Sequence, residues 1–173
     1  MRIFLKILAI CLLAVTVLAA GTVLYAMETR IPGIEVISRE AVSATRAQEA
    51  FATVREQLQS GTCTGHVFRE DVPEADQCTF LNLTLRLRNR CLLPMEWIEA
   101  AIVPEEGDIL EERDERPRVL AAGAEGDIPL RILTENGTVL TRRVRVTYYL
   151  LGKAFETETQ VTFNSQKAED EQV

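Results

Sequence analysis

The sequence predicts a mainly β protein, an antiparallel β-sandwich of immunoglobulin-like type preceded by one α-helix and an N-terminal transmembrane helix. Three observations carry this expectation. Apolar and polar residues alternate with a period of two in several segments between Thr79 and Phe163, the pattern of strands with one buried face. No segment after Gly61 shows helical spacing, which favours antiparallel pairing over the strand–helix alternation of a parallel sheet. An uncharged apolar run fills Ile7 to Ala26, long enough at ~1.5 Å per residue to span a hydrocarbon core of ~30 Å.

The apolar run sets the first boundary, residues 1–27. Arg2 and Lys6 precede it, whereas Glu28 and Arg30 beyond it cancel. The positive-inside bias therefore predicts a single-pass protein of the cytoplasmic membrane, N-terminus inside and C-terminal domain outside. Tyr25 falls where an aromatic ring suits the headgroup layer. A cleaved signal peptide is the competing reading, since Val17-Leu18-Ala19 and Leu18-Ala19-Ala20 resemble small-residue cleavage sites. The apolar run continues past both to Ala26, which favours a retained anchor. Cys11 lies within the run with no lipobox before it and is expected to act as a small apolar residue.

Removing the first 27 of the 173 residues leaves 146, the size of one ordinary domain with a core of its own. Arg2 and Lys6 lie before the boundary and all 26 acidic residues beyond it, so the net charge of −7 becomes −9 for the exported part. Such a surface repels nucleic acid and anionic lipid headgroups. Nucleic-acid binding is excluded.

Residues 28–62 are expected to form a connector and an amphipathic helix. Ile34 and Val36 suggest a short strand or a stalk. Ala44, Ala47, Phe51, Val54 and Leu58 follow at helical spacing, with Ser43 as N-cap and Gly61 as stop signal. The β-sandwich is assigned to 63–163. Leu81, Leu83, Leu85 and Leu87 alternate in a strand from Thr79 that ends at Asn89-Arg90, and a second strand runs from Met95 to Val103. Glu105 to Arg118 is expected to be mostly loop, with Ile109-Leu110 a short edge strand. Ile128, Leu130 and Ile132 alternate between Asp127 and Leu133, where Pro129 implies an edge strand or a bulge. Asn136-Gly137 is the strongest turn signal. Strands from Val139 to Leu150 and from Phe155 to Phe163 form a hairpin about Leu151-Gly152-Lys153. Residues 164–173 are polar and acidic, and a disordered tail is expected.

Outside the membrane lie Cys63, Cys78 and Cys91. An oxidising exterior permits a disulfide, and Cys63 with Cys78, flanking a polar stretch, is the expected pair. Cys91 is expected to be a small buried hydrophobe. His66, the single histidine, lacks the nucleophile and orienting acid of a catalytic set and suits a polar loop. The cysteine spacing makes no zinc site, and neither a phosphate loop nor a zinc-protease motif occurs. The acidic run Glu105, Glu106, Asp108, Glu111, Glu112, Asp114 and Glu115 offers the oxygens that calcium takes. It lacks the Asp/Asn-and-Gly order of a calcium loop and is interleaved with Arg113, Arg116 and Arg118, so a solvated loop is expected. No catalytic residue, metal or cofactor is predicted.

The block from Leu81 to Phe163 resembles the immunoglobulin-like β-sandwich domains of short, membrane-anchored bacterial proteins. The matching residues are the Leu81–Leu87 strand ending in Asn89-Arg90, Leu92-Leu93-Pro94-Met95-Glu96-Trp97, and Val144, Val146, Tyr148-Tyr149-Leu150 and Gly152. More distantly it is similar to the water-stress domains of late-embryogenesis proteins, whose leading strand ends in an Asn-Pro step. The resemblance implies fold and carries no catalytic residues. The expected function is a membrane-tethered, non-enzymatic interaction module whose partner is an envelope protein. Trp97, Tyr148 and Tyr149 alternate with core positions, with core packing the default for each and one or two of them expected to face outward as partner contacts. The alternative is an envelope hydrolase or carbohydrate-binding domain using the acidic loop and His66.

Overall fold

The structure, a computed structural model, describes residues 2–113, 116 and 118–165. Helix α1 (Arg2–Thr29) contains the stretch Lys6–Tyr25, long and apolar enough to cross a membrane and unburied by the rest of the chain. Its threonines are satisfied within the helix: Thr16 donates to the Leu12 carbonyl and Thr22 to that of Ala19, both at 2.8 Å. That is the only partner hydrocarbon allows them.

Among the described residues the rest of the chain forms two sheets. The six-stranded sheet has the order β10-β1-β3-β7-β5-β2 and the four-stranded sheet β6-β4-β8-β9. In the first, β1 is Gly33–Ser43, β2 His66–Val67, β3 Cys78–Arg88, β5 Asp108–Glu112, β7 Glu125–Glu135 and β10 Asn164–Ser165. In the second, β4 is Met95–Ile102, β6 Arg118–Leu120, β8 Thr141–Leu150 and β9 Lys153–Thr162. Neighbours pair antiparallel except β1 with β10, where Glu40 and Ala41 meet Asn164 and Ser165 in parallel.

The leucines of β3 explain the layering. Leu81, Leu83, Leu85 and Leu87 face the second sheet and pack with Ile98, Ile102, Val144, Val146 and Tyr148 in one core. Each such side chain contributes ~1.5–3 kcal/mol on leaving water. Phe80 points the other way. With Leu110 and Leu133, its neighbours across β5 and β7, it supports α2 (Gln48–Ser60), which buries Phe51 and Val54 there. The domain that follows α1 is therefore three layers deep over part of its area.

Several expectations change. The connector holds a full strand: β1 runs along β3 from Gly33↔Arg88 to Ser43↔Thr79, interrupted by a bulge at Ile37. Its outward residues are Glu35, Arg39 and Glu40, which masked its alternation. Ser43 ends that strand and does not cap the helix. Helix α2 starts at Gln48 with no side-chain cap, while Gly61 (φ +67) closes it in the left-handed conformation as expected. Within Glu105–Arg118 the short strand expected at Ile109-Leu110 is β5, Asp108–Glu112, but it lies between β7 and β2, not at an edge, with Asp108 through Glu111 buried. Strand β7 lies inside the sheet, yet β5 covers it only as far as Arg131, so Pro129 falls where β7 is paired on its β3 side alone. A missing N–H is tolerated there. Asn136-Gly137 (φ +84) turns the chain between the two sheets and closes no hairpin.

The expected Cys63–Cys78 disulfide is absent, and both cysteines are free thiols. Cys78 is wholly buried in the cluster beneath α2 and Cys63 packs at its border, so both act as small hydrophobes. Burial pushes both thiols up, with Glu135 adding to the effect at Cys78 and Glu112 at Cys63. Of the expected tail, Asn164 and Ser165 pair with β1; residues 166–173 lie outside the described residues, as do Asp114 and Glu115 of the acidic run.

Candidate functional site

The acidic segment and His66 come together, but as a structural joint. Gly65 (φ +125) brings the chain against the Glu111 carbonyl, where a Cβ would collide, and His66 then pairs with Glu111 across β2 and β5. The His66 ring stands edge-on to Phe68 at 4.8 Å. Glu111 is fully buried. One carboxylate oxygen accepts the Ile102 N–H at 2.6 Å and the other accepts Arg113 Nη2 at 2.6 Å. Arg113 also binds Glu99. The carboxylate thus ties β5 in one sheet to β4 in the other. A hollow of about 300 Å³ lies alongside, lined by His66, Phe68, Glu111, Arg113 and Arg145 and by residues 101–104. None of its lining residues is a serine, threonine or cysteine nucleophile.

Asp108 works in the same way. It accepts Arg142 Nη2 at 2.8 Å and the Glu105 N–H at 2.7 Å, and both members of the ion pair are fully buried. Two acids of a run expected to be solvated are interlayer struts. Among the described residues, no three His, Cys, Asp or Glu side chains gather to hold a metal ion.

The three aromatic candidates separate. Tyr148 is 2% exposed and belongs to the core, which corrects its assignment as a partner contact. Its hydroxyl donates to the Arg30 carbonyl at 2.7 Å, and its ring stacks on Phe155 with centroids 5.8 Å apart. Burial pushes the phenol up and nearby Arg30 partly offsets this. Trp97 is 64% exposed and Tyr149 37%. A bulge in β4 between Met95 and Ile98 sets Trp97 at φ +50 and leaves two successive residues, Glu96 and Trp97, facing solvent. Glu96 is the register partner of Tyr149, so the two exposed aromatics lie close together on the outer side of the four-stranded sheet. Holding a non-glycine residue at such a φ costs ~1–3 kcal/mol.

The end of the domain nearest α1 was not singled out by sequence. Asn89 is fully buried there. Its amide donates to the carbonyls of Leu93, Leu120 and Ala121 at 2.8–3.0 Å, and its oxygen accepts the Cys91 N–H at 2.9 Å. One side chain therefore shapes both neighbouring loops. The Asn-Arg step at the end of the leucine strand was its signal.

No protein-family model matches the chain, and no curated protein does. Among solved structures it is similar to a FixG-related protein from Vibrio parahaemolyticus, with 10% identity over 76% of this chain and 95% of that one, at a TM-score of 0.39.

Proposed function

We propose that this chain is a membrane-tethered, extracytoplasmic, non-enzymatic interaction module of the cell envelope, its two sheets forming a sandwich of immunoglobulin-like type. The observation that carries the proposal is Trp97, a large aromatic held in solvent by a strained bulge with Tyr149 beside it. Burial does not stabilise it there, and exposed aromatics with few rotamers are the residues that dominate protein interfaces. The partner is an envelope protein that takes up this aromatic pair. The side of the membrane rests on Arg2 and Lys6, which precede the apolar run within α1. The hydrolase or carbohydrate-binding alternative at His66 has less support, because both oxygens of Glu111 are already engaged.

A photoreactive phenylalanine analogue placed at Trp97 in cells tests the assignment. The expected result is a discrete adduct to an envelope protein, weakened by Tyr149→Ala and absent when the analogue replaces Gln160 on β9. Equal labelling at both positions, or none at Trp97, contradicts it.

A further inference from the structure

We infer that the end of the domain nearest α1 is a lipid-contacting rim, seated in the headgroup layer of the bilayer that α1 spans. The inference rests on reading α1 as a retained anchor.

Three features place this end at the membrane. Only three residues separate α1 from β1. The first of them, Arg30, is tied to the domain by the Tyr148 hydroxyl and lies over the Phe155 ring. Gly33 pairs with Arg88, so the loop from β3 to β4 starts level with the helix exit. The turn from β8 to β9 follows Tyr148 by three residues and lies at the same end.

The side chains that these segments expose are apolar. Leu92 is 73% exposed and Leu151 81%, with Leu93 and Ile31 also in solvent. Leu151 sits at φ +51 before Gly152 at φ +74, a two-residue turn in which both residues have positive φ. Asparagine or aspartate suits that first position; leucine gains nothing there from backbone or burial. Leu92 is projected outward from a loop fastened by buried Asn89. The local charge also reverses. At this end Arg30 is balanced in the sequence by Glu28 and Arg88 by its pairing with Glu125, which leaves Arg90 and Lys153 as cations that form no ion pair among the described residues, although the exported part as a whole is acidic. Leucines to insert and cations for anionic headgroups are what a bilayer surface recognises.

The test uses the full chain in phosphatidylcholine–phosphatidylglycerol vesicles, with or without brominated acyl chains. The only tryptophan is removed by Trp97→Phe, and Leu92→Trp, Leu151→Trp or Val139→Trp is added singly. Val139 is exposed beyond the far end of β8, about 30 Å away at ~3.3 Å per residue. Brominated lipid is expected to quench the probes at 92 and 151 severalfold more than the probe at 139. Quenching at 92 and 151 no greater than at 139, in protein that floats with the vesicles, overturns the rim and leaves the anchor standing. Protein that fails to float overturns the anchor, and the rim with it.

Discussion

Trp97 and Leu151 are the two non-glycine residues with positive φ among the described residues, and both expose large apolar side chains. Local stability and surface chemistry are therefore opposed at both. Trp97→Gly is expected to leave urea stability unchanged or raise it by about 1 kcal/mol while abolishing partner capture; a loss of stability would mean that Trp97 supports the fold. The buried Arg142–Asp108 pair makes the opposite prediction. Arg142→Met alone strands a buried carboxylate and is expected to cost ~3–5 kcal/mol, most of it recovered on adding Asp108→Leu; a double variant as unstable as the single would contradict this. The cysteines give a third outcome. Alkylation of the folded chain in detergent at neutral pH should modify Cys63 slowly and spare Cys78 and Cys91 until denaturant is added. Tyr148, offered by the sequence as a partner contact, continues the alternation of Val144 and Val146, and the core follows that alternation. Trp97 was offered as a partner contact and is exposed, but the bulge that turns it outward leaves no mark on residue types.

Elements with one dominant periodicity were readable. The leucine strand β3, the β8–β9 hairpin and the left-handed stop of α2 at Gly61 all lie where the pattern placed them. Strand β1 was obscured because only part of it meets the core while its outer face carries charges. Strand β5 was obscured because Asp108 and Glu111 find their partners, Arg142 and the Ile102 N–H, in the other sheet. Buried charge resembles solvated charge until such partners are known. Helix α2 covers Phe80, Leu110 and Leu133, so its loss would bare a patch of sheet. Phe51→Ala is expected to cost ~3–5 kcal/mol in urea unfolding; a cost below about 1 kcal/mol would mean that α2 is dispensable to the sheet.

For the whole molecule, charge and hydropathy divide sharply between a 28-residue helix and an acidic two-sheet domain. The connection is short and fastened at Arg30 by Tyr148, so a retained helix holds the domain close to the bilayer. The apolar run was legible from length alone as a helix able to cross a membrane, whereas the exposed leucines beside it were not, because they come from loops distant in sequence. The most direct test of tethering outside the cytoplasm is external protease treatment of spheroplasts carrying the full chain with a tag at each end. The account predicts that the C-terminal tag is lost while a short N-terminal tagged fragment remains in the membrane pellet. Protection of the C-terminal tag until lysis would contradict the topology, and absence of the N-terminal tag from the mature chain would contradict the anchor.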